Sequence, residues 1–185
     1  MALPTLPTGR LLLRGFTLAD APRVRELAGS REVASTTLNV PHPYEEGMAE
    51  AWIRGHAADW EVLKRLSLAA TTGSDGLVGC VGLGLEPEHG RAEIGYWIGE
   101  PYWNLGYATE AAGAVLAYAF GELGLHRVVG RHLARNLASG QVLRKLGMVH
   151  EGIQREHVRK WGRFEDLECY GILEHEWRGR STRPA

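Results

Sequence analysis

The stretch EIGYWIGEPYWNLGYATEA, residues 93–111, holds the residues best placed for chemistry. An alternating strand ends in a loop carrying Gly99 and Gly106, and an alanine-rich helix begins at the second glycine. A helix start presents four backbone N–H groups without intrahelical partners and about half a unit of positive charge. Gly106 and Ala108 are small enough for a ligand to approach that backbone, which suits a phosphate or pyrophosphate. A tight turn that simply needs glycine explains Gly106 equally well. Further on, Asn136 and Ser139 open a second helix, where an Asn-x-x-Ser run is also plain capping. Glu93 lies on the strand face opposite Ile94 and Tyr96, either as a site carboxylate or as the cross-strand partner of an arginine.

Composition narrows what such a site can serve. The chain has 185 residues, 44% hydrophobic and 23% charged, with a net charge of −1. That length suits one compact domain of roughly 100–200 residues, with a core at about 8–176. The near-zero charge gives no pull towards nucleic acid. Two cysteines, Cys80 and Cys169, exclude a disulfide scaffold, and both are expected buried and inert. The eight histidines never stand at i, i+4 on a helix beside a carboxylate cluster, so no metal site is expected. No run of ~18 apolar residues and no signal-like leader occurs, which implies a cytoplasmic protein away from membranes. A dinucleotide-binding oxidoreductase fails because no G-x-G-x-x-G follows a βαβ pattern.

The elements that must position these residues read as α+β. Arg10–Phe16 is an opening strand, Thr17 caps a first helix with core positions Val24, Leu27 and Ala28, and NVPHPY at 39–44 breaks the chain. Glu45 to about Leu66 is expected as a longer helix. Its acids Glu45, Glu46, Glu50, Asp59 and Glu61 against one arginine could attract a cationic acceptor or simply form a solvated face. Strands at 67–71, 77–85 and 92–98, joined by turn chemistry, form an antiparallel meander. Gly106–Phe120 is the clearest helix, with Ala112, Val115, Leu116, Ala119 and Phe120 on one stripe. A strand at 126–133, a helix at 137–146 stopped by Gly147, and a hairpin of 149–159 with 164–173 follow. The tail from Arg178 is expected to fray.

The run YWNLGYATEA resembles the acetyl-CoA loop of the GNAT acetyltransferases, in the form of their RimJ/RimL-like branch. NLASGQVLRKLGM at 136–148 resembles the same branch's second signature, and RLLLR and the closing hairpin sit where that branch has them. The resemblance implies a GNAT fold: a mixed, mostly antiparallel sheet of about seven strands, helices on both faces, and parallel strands 92–98 and 126–133 splayed to admit acetyl-CoA. It implies that backbone at Trp97 and Ile98 pairs with pantetheine, as in β-augmentation, and that amides of Leu105, Gly106, Tyr107, Ala108 and Thr109 meet the pyrophosphate. Trp103 and Leu105 depart from the pattern, which has Gln or Arg at the first of these positions and frequently a basic residue at the second. With nine Arg or Lys against three Glu between Glu122 and Arg163, Lys145, Arg144 and Arg135 are candidates for the nucleotide end.

By the same resemblance, an acetyl group passes from acetyl-CoA to a primary amine by direct attack. Glu93 is then the candidate base, direct or through water. Ser139 is the candidate proton donor to the thiolate, ranked ahead of Tyr107, and Asn136 holds the pantetheine or a water. Asp166 and Tyr170 help wall the acceptor cleft. A protein α-amine with a pKa of about 7.7–8.0 needs less help to deprotonate than a lysine near 10.4, which favours an N-terminal α-amine, as on ribosomal proteins, or a small amine. The alternative is a non-catalytic acyl-CoA sensor, which the departures at Trp103 and Leu105 favour. A homodimer is the family-level expectation.

Overall fold

The computed structural model describes residues 2–181. Its elements are β1 (Leu6–Pro7), β2 (Leu12–Arg14), α1 (Ala21–Ala28), α2 (Arg31–Thr36), α3 (Met48–Glu61), β3 (Arg65–Thr72), β4 (Gly76–Glu86), β5 (Arg91–Ile98), α4 (Tyr107–Gly121), β6 (Arg127–Leu133), α5 (Leu137–Lys145), β7 (Val149–Lys160), β8 (Arg163–Leu173) and α6 (Glu174–Ser181). The strands form one sheet in the order β1-β2-β3-β4-β5-β6-β8-β7. Every neighbouring pair is antiparallel except β5 with β6. The expected α+β architecture therefore holds, with eight strands instead of about seven. The extra one is the two-residue β1, whose Leu6 and Pro7 pair with Leu13 and Leu12.

Strand alternation divides the apolar residues between two layers. Leu66, Leu68, Val81, Leu83, Ile94 and Val128 meet the stripe Ala112, Val115, Leu116 and Ala119 of α4 in the main core. Ala69 and Leu77 pack on the other face against Val24 and Ala28 of α1 and Ala49 and Ile53 of α3. Helices thus cover both faces.

Four boundaries differ from expectation. The long helix ends at Glu61, because Leu63 turns with φ +50° and Arg65 already begins β3. It also starts three residues late, after Gly47 at φ +82°. The opening strand shortens to Leu12–Arg14. The tail expected to fray at Arg178 is helical through Ser181, and residues 182–185 lie outside the described residues.

Candidate active site

The parallel pair β5/β6 holds register only from Arg91↔Arg127 to Ile94↔Gly130. Past that point the strands part, leaving Gly95–Ile98 without partners on the β6 side. A cleft of about 1200 Å³ opens in the gap and runs from the start of α4 to α1, α3 and the segment after α2.

The end of the cleft where the cofactor is expected is shaped by how α4 begins. Gly106 caps the helix with φ +81°, a conformation that favours glycine, and Asn104 is also left-handed at φ +63°. Gly106, Tyr107, Ala108 and Thr109 line the cleft. Leu105 is exposed and contributes its carbonyl, which accepts from Arg10 Nη1 at 2.9 Å. Trp103 donates its indole N–H to the Ile98 carbonyl at 2.7 Å, so one backbone group expected to face pantetheine already has a partner.

Arg10 brings a guanidinium to this turn, where positions 103 and 105 carry none. Its guanidinium pairs with Glu110 at 2.7 Å and lies 4.8 Å from the centre of the Tyr107 ring. A Cβ built on Gly106 would stand 3.4 Å from Arg10 Nη2. Burial pushes the Glu110 carboxyl up, but hydrogen bonds from Thr8 and from the Arg10 backbone and side chain outweigh it and hold the group below its usual range. Arg10 is thereby fixed over the helix N-terminus. In the sequence, RLLLR reads as an opening strand, and nothing in its spacing points to this charge.

At the facing helix, Asn136 caps α5 by accepting from the Ser139 N–H at 3.2 Å, and its amide donates to the Thr36 carbonyl at 3.1 Å. Ser139 Oγ lies 3.0 Å from Tyr96 Oη, so a tyrosine of β5 reaches under the gap to α5. Burial pushes the Tyr96 phenol up to about 12, with the Ser139 hydrogen bond acting the other way. Alternation places Tyr96 on the strand face opposite Glu93 but does not indicate this partner. Lys145 lines the cleft. Arg135 instead binds Glu165 at 2.9 Å and the Ser35 carbonyl at 2.6 Å, and Arg144 donates to Tyr170 Oη at 2.8 Å. Tyr107, stacked beneath Arg10, belongs to the helix start.

On the acceptor side, Glu93 is held by both forks of Arg131, at 3.0 and 2.5 Å. The pairing with an arginine, left open in the sequence, is the one that forms. Tyr44, Met48 and Trp52 wall the cleft together with Trp97, whereas Glu45, Glu46, Glu50, Asp59 and Glu61 do not line it. None of these acids stands at the wall of the cleft. Asp166 and Tyr170 are also absent from the lining, which β7 and β8 supply through His157, Val158 and Leu167. Asp166 accepts from the Glu156 N–H at 2.7 Å in the β7 bulge, and Tyr170 is buried against His132. Cys80 is buried, its thiol pushed up to about 12, while Cys169 is only half-buried.

Known proteins share this arrangement. Residues 10–149 match the acetyltransferase (GNAT) domain. The chain is 31% identical over 177 residues to the uncharacterized N-acetyltransferase YnaD of Bacillus subtilis, covering 93% of this chain and 98% of that protein. It is 36% identical over 95 residues to the putative ribosomal N-acetyltransferase YdaF of the same organism, covering 51% and 52%. In fold it superposes on RimL, a ribosomal L7/L12 α-N-protein acetyltransferase solved in complex with coenzyme A, with a TM-score of 0.84 at 17% identity over 92% of this chain and 98% of that one. With most of its length matching the domain and its sheet parting where α4 begins, the chain belongs to the GNAT acetyltransferase family.

Proposed function

We propose that this acetyltransferase moves an acetyl group from acetyl-CoA to the α-amine of a peptide N-terminus or of a small molecule, within one domain spanning about residues 8–176. The observation that carries the reading is the convergence of three features at one gap: the parting of β5 from β6, the capped start of α4 and the Ser139 hydroxyl. The backbone N–H groups of Gly106–Thr109, with Arg10 above them, suit a diphosphate. The unpaired edge at Gly95–Trp97 suits the pantetheine amides. Bound there, acetyl-CoA supplies an activated thioester.

In this reading the residues of the chain have limited tasks. The N–C bond forms as the C–S bond breaks; Ser139 passes its hydroxyl proton to the departing sulfur and is reprotonated by the proton that the attacking nitrogen sheds. Tyr96, kept neutral by burial, holds that hydroxyl in place. Glu93, engaged by Arg131, serves to order the amine or a water beside it instead of acting as a free strong base. An α-amine fits such a site because a substantial fraction is neutral at pH 7 without assistance.

Thiol release from acetyl-CoA, followed across a panel of peptides and small amines, tests the reading. Release above background with an α-amine is expected, accompanied by an acetylated product in the mass spectrum. Tight coenzyme A binding with no thiol release for any amine would put the sensor reading in its place.

A further inference from the structure

On the sheet face that carries Glu93, β3, β4 and β5 lie in register. Arg65 is opposite Gly84 and Gly84 opposite Glu93; one row along, Ser67, Gly82 and Gly95 align. Alternation puts all six on one face, and all six line the cleft. Glycine empties the middle of both rows. A Cβ on Gly95 would meet nothing within 4 Å, and one on Gly84 only the Glu93 carbonyl at 4.0 Å. At Gly82, the middle of the second row, a Cβ would stand 2.1 Å from the Leu66 carbonyl oxygen, so the backbone there requires glycine, whereas packing does not demand glycine at Gly84 or Gly95. The missing side chains leave a trough between Arg65 and the Glu93–Arg131 pair, about 10 Å across at two strand spacings.

The charge around this trough is one-sided. Among the described residues lining the cleft, Glu93 carries the only carboxylate; Arg131 is paired with it and Arg135 with Glu165 outside the lining, while Arg65 stands at the trough itself. That carboxylate already holds both forks of Arg131. Arg65 is exposed, and among the described residues no carboxylate forms an ion pair with it. Beyond the trough the wall turns apolar, with Trp97, Cys80, Tyr44, Met48 and Trp52. A polyamine entering here would face net positive charge and no free carboxylate. An anion beside the amine would find an arginine without a competing partner, and an apolar group would find the aromatic wall.

We propose that the acceptor is an α-amine bearing a neighbouring carboxylate and an apolar side chain, with Arg65 seating the carboxylate. This rests on the acetyltransferase reading above and specifies its acceptor. Arg65 is on this account the specificity-determining residue. The carboxylate is either that of a free apolar α-amino acid or that of an acidic residue following an apolar N-terminal one.

The test compares kcat/KM, by thiol release, for leucine against leucinamide, for the peptide Leu-Asp-Gly-amide against Leu-Asn-Gly-amide, and for spermidine. In at least one pair the anionic member is expected to exceed its neutral isostere by about ten- to a hundredfold, the scale of one charge-assisted contact. The responding pair identifies the source. Arg65→Gln should erase the preference while leaving KM for acetyl-CoA unchanged, and Arg65→Glu should turn it towards the neutral amide and spermidine. Equal rates within both pairs, spermidine as the best acceptor, or a preference that survives Arg65→Gln would overturn the proposal while leaving acetyl transfer standing. Absence of release with every amine would remove the transferase reading and this one together.

Discussion

On the proposed assignment, the cofactor half of the cleft comes mainly from two contiguous runs, residues 103–109 and 136–145, each at the start of a helix. The acceptor half is assembled from short pieces of many elements: α1, α3, β3, β4, β5, β7 and the segment after α2. The contrast follows from what each half recognises. A diphosphate is met by backbone N–H groups and a helix dipole, which any sequence supplies once a glycine lets the chain turn. An acceptor is met by side chains, and these can change one at a time on a fixed frame. The cofactor half should therefore respond to substitutions that alter its turn or its charges. The acceptor half should respond to residues far apart in the chain.

The largest expected effect separates chemistry from binding at the junction of the halves. Ser139→Ala should lower turnover about 10²-fold, with coenzyme A affinity by calorimetry nearly unchanged. A variant at full rate would return Ser139 to the capping role it already plays in α5. A comparable effect in stability is expected beneath the acceptor wall. His56 is buried edge-on to Trp52, 4.3 Å between ring centres, with no hydrogen-bond partner for either nitrogen among the described residues. Burial lowers its pKa to about 4, with Asp59 opposing and Arg65 adding to the shift. The imidazole stays neutral when folded but takes a proton on unfolding below about 6.5. Its contribution is thus complete above pH 6.5 and is lost as pH falls towards about 4, amounting to on the order of 2–3 kcal/mol. Urea unfolding of the wild type and of His56→Phe, compared at pH 7 and pH 4.5, should show the smaller acid loss in the variant. Parallel losses would mean that His56 is not the group responsible.

Smaller effects sharpen the contrast on the cofactor side. Arg10→Gln should weaken coenzyme A about tenfold, and the weakening should shrink in high salt because the guanidinium is solvent-exposed. An unchanged Kd would place the diphosphate away from Arg10. Asn136→Ala removes both the α5 cap and the tie to Thr36, and should cost about 1 kcal/mol in denaturant unfolding. No loss would show that α5 is positioned by its packing alone.

The parts legible in the sequence are those that local physics writes into neighbouring residues. Gly106 before an alanine-rich stripe announces a helix start, Gly147 a helix stop, and 92–98 a strand whose alternation survives in the fold. The parts missed depend on partners brought together from afar. Arg10 meets Leu105 across 95 positions, and Tyr96 meets Ser139 across 43. No periodicity encodes such pairings. The acidic stretch was ambiguous for a related reason, since composition counts charges without saying which helix face they occupy. On α3 and the residues before it, Tyr44, Met48 and Trp52 turn inward and the acids remain outside.

A crystal structure with coenzyme A bound would test the central claim most directly. The account predicts the diphosphate against the amides of Gly106–Thr109 beneath Arg10, pantetheine between β5 and β6, and the sulfur facing Ser139 Oγ. Density for coenzyme A outside the gap between those two strands would contradict it.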